Sequence, residues 1–195
     1  MELPLLLLFN FTNLSNQPMK SIKVKDKEFK ISIPADEINN AVESIADRIN
    51  SDLAGKNPLF LVVLNGAFIF AADLYRKITI ESEISFVKLA SYSGTSSTSD
   101  VKELIGLNER LRGRTVVILE DIIDTGTTMQ YLMNKLEYLG VEKVYLAALL
   151  FKPNAFRESF RIDYLGLEIP NEFIVGYGLD YDGFGRNYPD IYKII

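Results

Sequence analysis

A chain of 195 residues is long enough for one domain with a small appended flap and for burial of about 70% of its unfolded surface. Its 48% hydrophobic and 24% charged residues are the balance of an ordinary globular protein, and a net charge of -5 without a basic run speaks against nucleic acid as a partner. Cysteine and histidine are both absent, which excludes disulfides, thiolate and imidazole metal sites and hydrolases built on a histidine base.

What remains for chemistry is carboxylates, lysine, tyrosine and backbone groups, and the metal that such a composition can hold is a hard, oxygen-liking ion such as magnesium. The lack of cysteine also suits a reducing, cytoplasmic location. Leu3 to Phe9 is apolar but lacks the positive flank and cleavage site of a secretory signal, and it is too short to span a membrane. Asn13 to Pro18 forms a polar break. Residues 1–18 are therefore expected to lie outside the fold, and residues 19–195 to form a single domain whose C-terminal part, about 152–195, makes a hood.

Ile22 to Val24 opens the first patterned stretch. After Pro34, the positions Ile38, Val42, Ile45, Ala46, Ile49 and Leu53 recur at helical spacing up to Gly55, which predicts an amphipathic helix. Leu59 to Leu64 is a continuous apolar run of strand length, broken by Asn65-Gly66 before a helical segment from Ala67 to Tyr75. Ser91 to Ser99 is rich in serine and threonine around Gly94 and has no periodicity, so it reads as a mobile loop.

The strand, turn and helix pattern recurs. Thr115 to Leu119 predicts a strand, an acidic turn follows, and Met129, Leu132, Met133, Leu136 and Leu139 predict a helix up to Gly140. Val144 to Phe151 supplies the next buried strand. Apolar strands alternating with helices imply an α/β fold, a mainly parallel sheet with helices on both faces. From Arg161 onward, aromatics interleave with Gly and Asp, which suggests an irregular flap over one sheet edge.

The stretch from Val116 to Thr128 carries the chemistry. A buried strand delivers Glu120 and Asp121, then Asp124, to the start of a helix, where ligands of open α/β sheets bind and unpaired N–H groups receive a phosphate. Gly126 allows close approach of the backbone, and Thr125, Thr127 and Thr128 add hydroxyl donors. Glu120 and Asp121 repel phosphate, so they call for sugar hydroxyls or a hydrated cation instead. An acidic pair at a strand end is by itself commonly a solvated turn; the whole order of residues is what carries the signal. The nucleotide fingerprints Gly-x-x-x-x-Gly-Lys-Ser/Thr and Gly-x-Gly-x-x-Gly are both absent.

Val116 to Thr128 resembles the phosphoribosyl pyrophosphate signature of the type I phosphoribosyltransferases, and the surroundings, from about Ile22 to the C-terminus, resemble their hypoxanthine(-guanine) branch. The resemblance implies a type I phosphoribosyltransferase fold and transfer of a phosphoribosyl group from phosphoribosyl pyrophosphate to a 6-oxopurine with magnesium, in a homodimer or homotetramer. Glu120 and Asp121 would then engage the ribose hydroxyls and, largely through water, magnesium; Asp124 would be the base near purine N7, and Thr125 to Thr128 the 5-phosphate cradle.

By the same resemblance, Asn65 and Gly66 fall in the pyrophosphate-binding turn, with a cis peptide expected between Leu64 and Asn65. Many relatives carry lysine where this chain has Asn65. Ser91 and Tyr92 begin the lid that closes over the reaction. Lys152 matches the lysine that donates to the purine 6-oxo group, Phe173 the aromatic that stacks on the base, and Ile174 the backbone that reads its edge. Asp180 would hold a second magnesium, and Arg186, after the flexible Gly183-Phe184-Gly185, would bind pyrophosphate. Singly, Lys152 would pass for a solvated lysine, Phe173 for a core aromatic and Arg186 for a surface charge. A xanthine-preferring enzyme and a non-catalytic phosphoribosyl pyrophosphate sensor are the alternatives, the latter disfavoured by the acidic chain.

Overall fold

The structure is a computed structural model that describes residues 21–91, 101–105 and 110–195. The extension 1–18, Tyr92 and most of the serine-rich stretch lie outside the described residues.

The first elements are a hairpin, β1 (Ser21–Val24) and β2 (Lys27–Ile33), followed by α1 (Ala35–Asp52). Pro34 stands at the helix start, where its missing N–H costs nothing, and Asp36 and Glu37 face the positive end of the helix dipole. One face, Ile38, Ala41, Val42, Ile45, Ala46 and Ile49, is buried. Then come β3 (Leu59–Leu64), α2 (Phe68–Tyr75), β4 (Glu83–Ser91), β5 (Val101–Ile105), β6 (Thr115–Ile123), α3 (Thr127–Tyr138) and β7 (Lys143–Phe151). β8 (Tyr164–Glu168), β9 (Ile174–Val175) and β10 (Ile191–Ile194) complete the chain.

The main sheet has the order β5-β4-β3-β6-β7-β8, parallel throughout except for β5, which runs antiparallel to β4. The central strands are apolar on both faces because both are covered. Phe60, Val62, Val117, Leu119, Ala147 and Leu149 pack with α1 and α2. Their neighbours Leu61, Val63, Val116, Ile118, Leu146 and Ala148 pack with α3. These two layers are the α/β architecture that the alternating pattern implied.

Two features differ from the sequence reading. β6 does not stop at Leu119: Glu120 pairs with Ala148 and Ile122 with Leu150, so the ladder with β7 carries the acidic pair inside the strand. The turn is confined to Asp124 to Gly126. The hood is likewise not made by the C-terminal third alone. It is a four-stranded sheet β1-β2-β10-β9 to which the N-terminal hairpin contributes half, whereas β8 belongs to the main sheet. Phe29, Val175 and Tyr192 form its core.

Candidate active site

Alternation along β6 sends Glu120 and Asp121 to opposite faces of the sheet. Glu120 lines a small cavity of about 100 Å³ with Asp124, Thr125, Gly126, Thr128 and Met129 on the α3 side. Its Oε2 atom is buried and has no hydrogen-bond partner among the described residues. Burial, aided by the neighbouring Asp121 carboxylate, pushes Glu120 well above the usual carboxylate range.

Asp121 lies instead against the turn after β3. A Cβ on Gly66 would overlap its carboxyl group, so only glycine lets the two segments meet. The Leu64–Asn65 peptide is cis, as the resemblance implied. Burial raises Asp121 to about 6, with Asp180 adding to the rise and two backbone N–H groups and the Arg186 guanidinium opposing it. Asp180 and Arg186 come from the hood: Arg186 Nη2 is 2.6 Å from Asp180 Oδ1, and its Nη1 donates to the Gly178 carbonyl at 2.6 Å. Gly178, at φ +98°, is pressed against the Gly66 carbonyl, so the hood and the pyrophosphate-turn candidate touch backbone to backbone.

Asp124 and Lys152 meet because of the β6–β7 register. Ile123 pairs with Phe151, and the Lys152 N–H donates to the Ile123 carbonyl at 2.9 Å, so the next residue of each strand emerges side by side. Lys152 is buried, and its Nζ donates to Asp124 Oδ2 at 3.2 Å.

Gly126 starts α3 with φ 89°, a left-handed conformation that suits glycine. Thr125 and Thr127 hydroxyls are 3.3 Å apart, with Thr128 beside them in the first turn of the helix. Their arrangement can receive an anion at the helix N-terminus.

In the hood, Phe173 is 45% exposed, which leaves a ring face for a planar ligand. It is flanked by Phe29 at 6.2 Å and by Tyr181, edge-on, at 5.8 Å. Ile174 is buried, and the Phe173 carbonyl accepts from Ile194 N–H at 3.1 Å. Asn65 is exposed. Ser91 ends β4; Tyr92 lies outside the described residues.

Three contributors carry no signal in the sequence. Phe156 and Glu158 pack directly on Gly126, and Phe29 supports Phe173 from a strand about 140 residues away in the chain. A solitary glutamate after Lys152 and one apolar position in a charged hairpin carry no local signal of either contact.

A phosphoribosyl transferase domain family matches residues 34–182. The bifunctional protein TilS/HprT of Listeria innocua is 40% identical over 163 residues, 83% of this chain; the chain spans only 25% of the length of that relative. The hypoxanthine-guanine phosphoribosyltransferase of Streptococcus thermophilus is 40% identical over 161 residues, 82% of this chain and 89% of that protein. A crystal structure of a hypoxanthine phosphoribosyltransferase from Staphylococcus aureus superposes with a TM-score of 0.81 at 32% identity, covering 85% of this chain and 91% of that one. With a family match across most of its length and these likenesses in sequence and fold, the chain belongs to the phosphoribosyl transferase family.

Proposed function

We propose that the chain is a hypoxanthine phosphoribosyltransferase of purine salvage, which also takes guanine. It transfers the 5-phosphoribosyl group of phosphoribosyl pyrophosphate to the base, giving inosine or guanosine monophosphate and pyrophosphate. The observation that carries this reading is the meeting of Asp124 and Lys152 beside the Thr125 to Thr128 turn. A proton acceptor and a cation sit side by side next to an anion cradle, which suits a purine that offers a 6-oxo group to one and a ring N–H to the other.

In this mechanism the helix N-terminus, Gly126 and the threonine hydroxyls hold the 5-phosphate. Lys152 donates to the 6-oxo group, Phe173 stacks on the base, and the Ile174 backbone reads its edge. As the purine nitrogen attacks the anomeric carbon and the bond to pyrophosphate breaks, Asp124 accepts the proton that the purine loses. Arg186 and the backbone of Asn65 and Gly66 receive the charge that develops on the leaving group.

The residues suit magnesium. Glu120 carries an unpartnered buried oxygen, Asp121 a carboxylate forced towards protonation, and both are hard oxygen donors. Among the described residues no three such side chains converge; magnesium in general keeps several waters and binds together with substrate phosphates. Glu120 and Asp121, which leave β6 on opposite faces, would each engage it through its waters and the ribose hydroxyls rather than as one shared pair of ligands, and Asp180 would hold a second ion; when bound, magnesium neutralises pyrophosphate charge. Phe68 and Phe86, 43% and 44% exposed, are apolar surface that a second copy would cover in a homodimer or homotetramer. The cytoplasm is the proposed compartment; among the described residues no helix is long and apolar enough to cross a membrane.

The test is direct. Purified protein with phosphoribosyl pyrophosphate and magnesium receives hypoxanthine, guanine or xanthine, and nucleotide formation is followed. Hypoxanthine and guanine should be consumed; turnover of xanthine alone would overturn the substrate assignment, and no turnover would overturn the enzyme assignment.

A further inference from the structure

The segment after Lys152 is clamped onto the proposed phosphate cradle. The Arg157 N–H donates to the Thr125 carbonyl at 3.1 Å, and the rings of Phe151, Phe156 and Phe160 stand edge to face in a row, with centroids 5.2 and 5.0 Å apart. This clamp brings Phe156 Cε2 and Glu158 Cγ to 2.7 and 2.9 Å from where a Cβ of Gly126 would be. Glu158 is thus held over the cradle by backbone and packing, not left to sample solvent freely.

Its carboxylate takes a donor that the cradle needs. Thr127 Oγ1 donates to Glu158 Oε1 at 3.4 Å, and the Thr125 hydroxyl lies 3.3 Å from the same Thr127 oxygen. The Thr127 hydroxyl has one proton; it can serve Glu158 or a phosphate, but not both at full strength. A negative charge this close to a bound dianion also repels it. No salt-bridge partner neutralises Glu158 among the described residues.

We propose that Glu158 limits the affinity of the 5-phosphate site, competing for the Thr127 hydroxyl and repelling the phosphate, and so weakens the hold on the phosphoribosyl substrate and on the nucleotide product alike. This rests on the reading of Thr125 to Thr128 as a phosphate cradle. A site that must release a nucleotide carrying the same phosphate as its substrate gains turnover from such a counterweight, because each interaction shared by substrate and product slows release as much as it aids binding.

The experiment is calorimetric titration of the full chain with inosine monophosphate, ribose 5-phosphate, inosine and pyrophosphate, for the parent, Glu158→Gln and Glu158→Ala. Both variants should bind the two 5-phosphates about threefold to tenfold more tightly at low salt. The gain should shrink at high salt because the site is open to screening. Inosine, which lacks the phosphate, and pyrophosphate, whose proposed site lies at Gly66 and Arg186, should bind as in the parent. Parent-like binding of inosine monophosphate by both variants, within about twofold, or weaker binding, would overturn the role of Glu158 and leave the cradle standing. Failure of the parent to bind either 5-phosphate would overturn the cradle itself, and the proposal with it.

Discussion

Lys152 Nζ lies 3.2 Å from Asp124 Oδ2, an ion pair between a lysine side chain 10% exposed and an aspartate 49% exposed. The pair unites the group proposed to recognise the purine with the group proposed to deprotonate it. A 6-oxo group arriving at Lys152 shares a donor that otherwise serves Asp124, so recognition and proton transfer are mechanically adjacent.

Lys152→Met should therefore lower kcat/KM for hypoxanthine by roughly 1.5–3 kcal/mol, the worth of a charge-assisted hydrogen bond. Affinity for phosphoribosyl pyrophosphate, measured by direct titration, should be unchanged. Equal losses towards both substrates would mark the lysine as a structural residue.

Gly66→Ala places a methyl group where the Asp121 carboxyl lies. The side chain must shift, and with it the proposed ribose and magnesium contacts. We expect a fall of about 10²-fold in kcat/KM for phosphoribosyl pyrophosphate, the scale of a misplacement near 1 Å, with an intact far-UV circular dichroism spectrum. A fully active variant would remove Asp121 from the site.

Much of this arrangement is legible in the sequence and some of it is not. Leu59 to Leu64 and Thr115 to Leu119 read as strands because burial on both faces leaves only apolar residues. The sequence puts the acidic pair at the start of a turn because a carboxylate inside a buried ladder defies the local pattern; only the pairing with β7 keeps Glu120 in the strand. That pairing also joins Asp124 to Lys152, and the register of two strands separated by a helix is not written in either one. The hood is half legible: β2, Lys-Glu-Phe-Lys-Ile-Ser-Ile, is an inner strand between its hairpin partner β1 and β10, and β10 lies at the other end of the chain.

Asp121→Asn tests the electrostatics. A carboxyl raised to about 6 from an ordinary 3.8 binds more protons in the folded than in the unfolded state between those values. Its ionisation is therefore a destabilisation, absent below about 3.8 and fully developed above about 6. The Tm advantage of Asp121→Asn over the parent should grow as pH rises through this window and level off above it. Magnesium with phosphoribosyl pyrophosphate should raise the parent Tm more than that of the variant. A Tm difference that does not vary with pH would contradict the raised carboxyl.

Phe29→Ala tests the hood. Phe29 is fully buried, within its core and beside Phe173. Its truncation should cost about 3–5 kcal/mol in denaturant unfolding and raise KM for the purine more than for phosphoribosyl pyrophosphate. A loss of stability with both KM values unchanged would separate the hairpin from the purine site.

The decisive measurement is inosine monophosphate formation by the parent and by Asp124→Asn, paired with direct titration of phosphoribosyl pyrophosphate. Amide for carboxylate keeps the size and removes the proton acceptor, while Thr125 to Thr128 and the helix N-terminus still hold the phosphate. We expect the parent to form nucleotide and the variant to lose about 10² to 10⁴ in kcat, with phosphoribosyl pyrophosphate binding retained. A variant within about threefold of the parent, as expected if Asp124 serves only as a hydrogen-bond acceptor for Lys152, a role that asparagine can fill, would contradict the assignment of Asp124 as the base.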